Sequence, residues 1–322
     1  MKALKSKADL VTGVALIALL LGFSFSSSVS FKHLIMKIII MGLFALSLNI
    51  QSGWGGLRPL GHGLMFGLGA YTYAITTVRM DMNPYLAVLV TVVFTVLVSM
   101  FLGYLLVRKS DDLAFSFLSM GFCTLTYTII LKTSYLGVDA GISGVPRLPF
   151  AISDDATYVL TVVVVCIAVL LIYLLSKSQF SWIFRAVREN KEKATCIGVN
   201  IVRVQLMGYV ISGLFACIAG MLYTMKNNGA YTYSCSVQLS MEALIMCLLG
   251  GMNSFWGPAL GAMIVTLFNT QVTNTTIYAN FWLGILTLFV VMFMQGGILD
   301  EGLRDQIKAF LVKRRRKGTE KS

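Results

Sequence analysis

The stretch YLAVLVTVVFTVLVSMFLGYLLV, residues 85–107, and the stretch TYVLTVVVVCIAVLLIYLL, residues 157–175, carry no charged side chain. A hydrocarbon core roughly 30 Å thick needs about 20 such residues in a helix, and runs this long exceed any ordinary buried strand. Similar runs recur at approximately 11–29, 34–50, 60–78, 85–107, 113–131, 157–175, 205–224, 237–250, 256–270 and 277–295. Lipid offers no partner to backbone N–H and C=O groups, so each span must satisfy its own as a helix. The expected fold class is therefore all-α, a polytopic transmembrane bundle of about ten spans. The number drops to eight or nine if a short run, within 51–70 or 237–270, is re-entrant.

Composition supports the membrane as solvent. Hydrophobic residues make up 57% of the chain and charged residues 12%, against about 45–50% and about 25% in soluble domains. The net charge of +12 does not point to nucleic acid, because the basic residues sit between apolar runs and form no groove-sized patch with aromatics. Cys123, Cys166, Cys196, Cys217, Cys235 and Cys247 include no CxxC pair, and His33 and His62 are the only histidines. Neither a disulfide framework nor a metal site is expected. The first run follows Lys2, Lys5 and Lys7 and could be a signal peptide, but its near-spanning length and the lack of a small-x-small cleavage site favour a span.

Basic residues fix the orientation. With the N-terminus in the cytoplasm, segments 1–10, 51–59, 108–112, 176–204, 251–255 and 296–322 face inward and hold 20 of the 26 Lys and Arg, as the positive-inside rule requires. An even number of spans places both termini in the cytoplasm. The expected layout is a cytoplasmic N-terminus at 1–10, a membrane domain at 11–295 and a basic cytoplasmic tail at 296–322. A cytoplasmic loop at 176–204 and an outer loop at 132–156 interrupt the membrane domain.

Three features could carry function. The first is FRAVRENKEKATCIGVN, residues 184–200, in the long inner loop. Trp182, Ile183, Ala186 and Val187 form a short apolar stripe at helical spacing. Arg185–Glu189, Arg188–Glu192 and Glu189–Lys193 are four apart and can pair along one helix. Gly198 followed by Asn200 reads as a stop. The stretch is a solvated loop that sets orientation, a helix resting in lipid headgroups, or a helix offered to a cytoplasmic partner.

The second feature is a pair of glycine/proline interruptions, GWGGLRPLGHGLMFGLGAY at 53–71 and GGMNSFWGPALGAM at 250–263, roughly 195–200 positions apart. Interrupted segments at matching places in two halves of a membrane protein point to a translocation site, although small residues also serve plain helix packing. Asn49, Gly55, Gly56, His62, Gly250, Gly251 and Asn253 are the pathway candidates here. Glu242 joins them as the one carboxylate inside an apolar run, where charge is costly and marks function by default. The third feature is the turn-rich GISGVPRLP of the outer loop, with Gly141, Ser143, Gly144 and Pro146.

Taken together, SLNIQSGWGGLRPLGHGLMFGLGAYTYAI (47–75), GISGVPRLPF (141–150), the 184–200 stretch and LLGGMNSFWGPALGA (248–262) resemble the permeases of branched-chain amino acid ABC transporters. The likeness covers about residues 40–295. It implies an ABC importer permease fold in the cytoplasmic (inner) membrane. It also implies that 184–200 docks on an ATPase subunit, with Glu192, Ala194 and Gly198 at the matching acidic, small and glycine positions and Arg185, Arg188 and Glu189 beside them. Lys193 and Thr195 depart from the family pattern, as does Asn253, which stands where a glycine or similar small residue is usual. The implied partners are two ATPase subunits, a second permease (homologous or a copy of this chain), an extracytoplasmic substrate-binding protein and lipid. No cofactor is expected in the chain itself, since it has no GxxxxGK[ST] to cradle ATP.

A secondary transporter would call for more intramembrane carboxylates, and a membrane enzyme for a convergent acid, base or metal cluster. Within the family, urea, short amides or other small solutes are alternative cargoes.

Overall fold

A computed structural model describes residues 29–109, 112–151 and 153–275, with isolated helical positions at 281, 284, 285 and 288. Ten helices follow one another within the described residues. They are α1 (Val29–Asn49), α2 (Gly63–Ala74), α3 (Pro84–Lys109), α4 (Asp112–Lys132), α5 (Asp154–Lys177), α6 (Gln179–Glu189), α7 (Lys191–Cys196), α8 (Ile201–Asn227), α9 (Val237–Gly250) and α10 (Gly257–Thr275). The expected all-α bundle is observed, with one addition: two two-residue strands, β1 (Ile142–Ser143) and β2 (Gly229–Ala230), pair antiparallel.

Among the described residues, five helices are long and apolar enough to cross a bilayer: α1 extended to Trp54, α3 to Arg108, α4, α5 and α8. The weaker runs at 60–78, 237–250 and 256–270 are helical too, as α2, α9 and α10. The first and tenth runs, the N-terminal segment and the basic tail fall outside the described residues, apart from single positions.

Helix ends follow local chemistry. Ser153 caps α5 by accepting the Ala156 N–H at 3.2 Å, Asp154 and Asp155 occupy its first turn, and Lys177 its last, as the helix dipole favours. Asn200 caps α8 through the Arg203 N–H at 3.1 Å. Ser236 caps α9 through the Leu239 N–H at 3.1 Å.

Burial divides the bundle into an inner and an outer set. The apolar windows of α1 and α8 are 72% and 61% buried, against 28–33% for α3, α4 and α5. Accordingly α8 packs on α1, α2 and α3, while α9 and α10 form a hairpin against α1. The outer set presents Leu89, Phe101, Phe117 and Leu171 outward, surface that would drive aggregation in water and is covered by acyl chains in a membrane. The α9–α10 crossing is made at backbone contact: a Cβ on Gly261 would lie 1.9 Å from the Met246 carbonyl.

Two helices end in π turns rather than in α geometry, α1 through Ile50–Trp54 and α2 through Ile75–Arg79. Such turns are rare and concentrate at functional places. The first lies at the glycine-rich interruption expected from sequence. The second interruption is the turn between α9 and α10, opened by Gly251 at φ +103°, a conformation that a side chain resists.

Candidate functional site

The two interruptions, far apart in sequence, meet in space. Gly53 backs onto the second one so closely that a Cβ there would lie 2.6 Å from the Met252 carbonyl. Onto this junction sits the charged inner stretch, folded as α6 and α7. Phe184 is fully buried because two glycines make room for its ring. A Cβ on Gly55 would come within 2.1 Å of Phe184 Cζ, and one on Gly208 of α8 within 2.5 Å. One turn further along α6, Arg188 donates from Nη1 to the Gly53 carbonyl and, at 3.5 Å, to Asn253 Oδ1. The Arg185 guanidinium lies 5.6 Å from the Trp54 ring centroid. Burial, and secondarily the neighbouring Arg188, pull its pKa below the usual arginine value.

Three expectations for this stretch are corrected. The buried face of α6 is Ser181, Phe184 and Val187, while Trp182, Ile183 and Ala186 point outward, because the pockets that select the buried face lie on remote segments. The stretch is not one helix: Asn190 turns extended at φ −159° and caps α7 by accepting the Lys193 N–H at 2.9 Å. That break separates Arg188 from Glu192 and Glu189 from Lys193, and none of the three expected i,i+4 ion pairs forms among the described residues. Instead Lys191 bridges to Asp112 at the start of α4 at 2.5 Å. Ala194 is buried, Glu189 and Glu192 are exposed, and Gly198 ends the segment at φ +86°.

The pathway candidates separate into three places. Gly55, Gly56, Gly250, Gly251 and Asn253 belong to the junction beneath α6, with the Asn49 amide oxygen buried beside Gly53 and without a hydrogen-bond partner. His62 lies deeper, in a polar network inside the bundle. Its Nε2 is 2.9 Å from Ser47 Oγ, Ser212 of α8 donates to the Ser47 carbonyl at 2.7 Å, and Gln51 Nε2 donates to Ser212 Oγ at 2.8 Å. The His62 ring stacks on Phe44 at 5.3 Å, Phe44 meets Phe66 at 4.8 Å, and Phe66 meets Tyr223 at 5.6 Å. The third place is the far end of that aromatic row, toward the outer loop, where Glu242 is found. Tyr233 and Lys37 lie near its carboxylate, and Lys37 also lies near Lys226.

The sequence reading missed Phe184, Gly208, Ser47, Ser212, Lys37 and Tyr233. Only Lys37 carried a visible signal, a cation within an apolar run that could have been matched to the lone carboxylate.

The outer-loop candidates form a compact clasp. β1 pairs with β2 just beyond α8. Gly144 and Val145 donate to the Asn228 carbonyl at 3.0 and 3.1 Å, and Arg147 Nε to Asn228 Oδ1 at 2.9 Å. Pro146 receives the Tyr73 hydroxyl at 3.1 Å on its carbonyl. Gly141 at φ +70° is pressed against the Ala230 carbonyl, and Ser143 is exposed on the paired strand.

Comparison with known proteins finds relatives over most of the chain. The chain is 24% identical over 326 residues to the high-affinity branched-chain amino acid transport system permease protein LivM of Escherichia coli (strain K12), covering 92% of this chain and 76% of that protein. It is 23% identical over 321 residues to the probable branched-chain amino acid transport permease protein LivM of Methanocaldococcus jannaschii, covering 83% and 93%. A shorter likeness, 28% over 136 residues and 39% of each chain, links it to the autoinducer 2 import system permease protein LsrC of Salmonella choleraesuis. No solved structure matches. The family described as "Branched-chain amino acid transport system / permease component" matches residues 30–294, nearly the whole of the helical bundle, and the chain belongs to that family of multi-pass membrane permeases.

Proposed function

We propose that this chain is the transmembrane permease subunit of an ATP-binding cassette importer that carries branched-chain or related amino acids across the cytoplasmic membrane. It has about ten spans, or eight to nine if a short run is re-entrant, with both ends inside: a cytoplasmic segment at 1–10, a membrane domain at 11–295 and a basic tail at 296–322. It pairs with a second permease, homologous or identical. Two separate ATPase subunits bind ATP, and an extracytoplasmic binding protein delivers cargo to the outer clasp.

The observation that carries this reading is the inner helix pair. α6 and α7 are too short to serve the bundle as spans, yet Phe184 and Arg188 seat them on both interruptions, and they leave Trp182, Ile183 and Ile197 exposed. A soluble loop would bury or omit such residues. Flanked by Arg185, Glu189, Glu192 and Lys193, they suit a mixed apolar and charged contact with a cytoplasmic partner. ATP closes the ATPase pair and pushes the two helices, and the driving force is the difference in nucleotide affinity between the two states. Glu242 with Tyr233, and Lys37 with Lys226, offer opposite charges to the two ends of a zwitterion in the outer half of the bundle. The Asn49 and His62 region lies further along the same route.

The test is affinity purification of the tagged chain from its native membrane in mild detergent, with identification of what accompanies it. An ATPase subunit in stoichiometric amount is expected, and Trp182→Glu with Ile183→Glu should release it while the chain still inserts. Transport by this chain alone in liposomes, with no ATPase recovered, would overturn the reading. The ligand found on the accompanying binding protein identifies the cargo.

A further inference from the structure

Arg188 is placed unlike the other charges of its stretch. Arg188 is exposed like Glu189, Glu192 and Lys193, but its side chain lies across the first interruption and contacts it. Its stem fills the space above Gly56, where at φ +72° a Cβ would fall 2.7 Å from Arg188 Cγ. Its guanidinium then meets the Gly53 carbonyl and Asn253 Oδ1. The Gly53 carbonyl lies at the end of a π turn, where no later helical turn remains to satisfy it, and Arg188 takes that role. A guanidinium holds several donors in one rigid plane, so one group can serve two segments at once. Phe184 is four residues earlier and therefore on the same face, which fixes how far α6 can slide before Arg188 must let go.

Resting on the importer reading above, we propose that Arg188 is a coupling residue. It ties α6 to both interrupted segments together, so a push on α6 is transmitted to the Gly53–Leu57 and Gly250–Trp256 turns as one movement. Asn253 is the part of this tie that selects the second segment. Arg188 acts inward on the permease, and the contact with the ATPase is made by the outward residues Trp182, Ile183, Glu189 and Glu192.

The test uses the full complex purified from membranes, trapped with ATP and vanadate, with hydrogen exchange read over 53–57 and 250–256. This readout needs no transported ligand. In the wild type, trapping should change exchange in both turns. In Arg188→Gln the ATPase should stay bound, while the trapping-induced change drops at least tenfold in both. In Asn253→Gly, which keeps the Gly53 contact, it should drop in 250–256 and persist in 53–57. Arg188→Lys, a cation without the planar fork, should retain only the 53–57 response. Full responses in Arg188→Gln with ATPase bound would overturn the proposal. So would loss of the ATPase from Arg188→Gln and Asn253→Gly alike, because Arg188 would then be a docking contact only. If the chain purifies without any ATPase, the importer reading fails by itself. The tie is then read in the lone chain, where identical exchange in wild type and Arg188→Gln over both turns would overturn it.

Discussion

Removing the Phe184 ring should unseat the inner helix and expose it to protease, by an amount the structure allows to be worked out. The ring is fully buried between Gly55, Gly208 and α6 itself. Phe→Ala at such a site costs about 3–5 kcal/mol, which at about 1.4 kcal/mol per decade multiplies the open population of α6 by roughly a hundredfold to a few thousandfold. Arg185, Arg188 and Lys191 are trypsin sites within the segment that opens. When reclosing is faster than cleavage, the cutting rate follows that population. Limited trypsin digestion in detergent, with the 178–200 region followed by mass spectrometry, should show the increase in Phe184→Ala while the rest of the bundle stays intact. Gly208→Ala tests the same seat from the other side. Its Cβ would meet a ring that has no free space to move into, an overpacking cost of about 1–3 kcal/mol. Adding Phe184→Leu, which lacks the Cζ atom that clashes, should recover most of that loss, so the two changes are non-additive. Cleavage in Phe184→Ala within twofold of wild type, in a chain that still elutes as one species, would refute the seat.

Further outcomes follow from the polar groups in the bundle. Glu242→Ala should reduce uptake at least tenfold and lower the amount of chain in the membrane, because Lys37 loses its counter-charge, whereas Glu242→Leu with Lys37→Met should restore membrane level without restoring uptake. Ser47→Ala takes the partner from His62 Nε2 while Nδ1 already makes no hydrogen bond, so the melting transition in detergent should fall by an amount equivalent to about 1–3 kcal/mol. Gly261→Ala drives a methyl into the Met246 carbonyl at the α9–α10 crossing, and fluorescence-detected size exclusion should show a less stable chain with α6 still protected from trypsin.

Sequence alone revealed what depends on local pattern. The spans at 85–107, 113–131 and 157–175 are visible because a lipid-facing helix must be apolar along its whole length, and α3, α4 and α5 lie within two or three residues of those runs. Gly198 was legible as a stop because a left-handed residue leaves its own signature, whereas Asn200, read as part of that stop, instead caps the start of α8. The seat of α6 was not, since Phe184 is chosen over Trp182 by glycines 129 positions before it and 24 after it. Nor was the division of 184–200 at Asn190, where the charge spacing suits a continuous helix and only the tertiary fit decides for two. The pathway candidates show the same limit. Glycine-rich turns announce a broken helix, but not the depth at which it breaks, and here both breaks lie beside the inner helix rather than around Glu242.

α8 runs past four of these places in turn. It carries Gly208 under Phe184, Ser212 in the buried network, Tyr223 at the end of the aromatic row, and Asn227 leading into the outer clasp at Asn228. Its 27 residues amount to a rod of roughly 40 Å at about 1.5 Å per residue. A tilt of about 5° about its inner end would carry the outer end about 3–4 Å sideways for a rod of that length. Fastened at both extremities, such a lever has no slack, and the clasp at one end moves on the same stroke as α6 at the other.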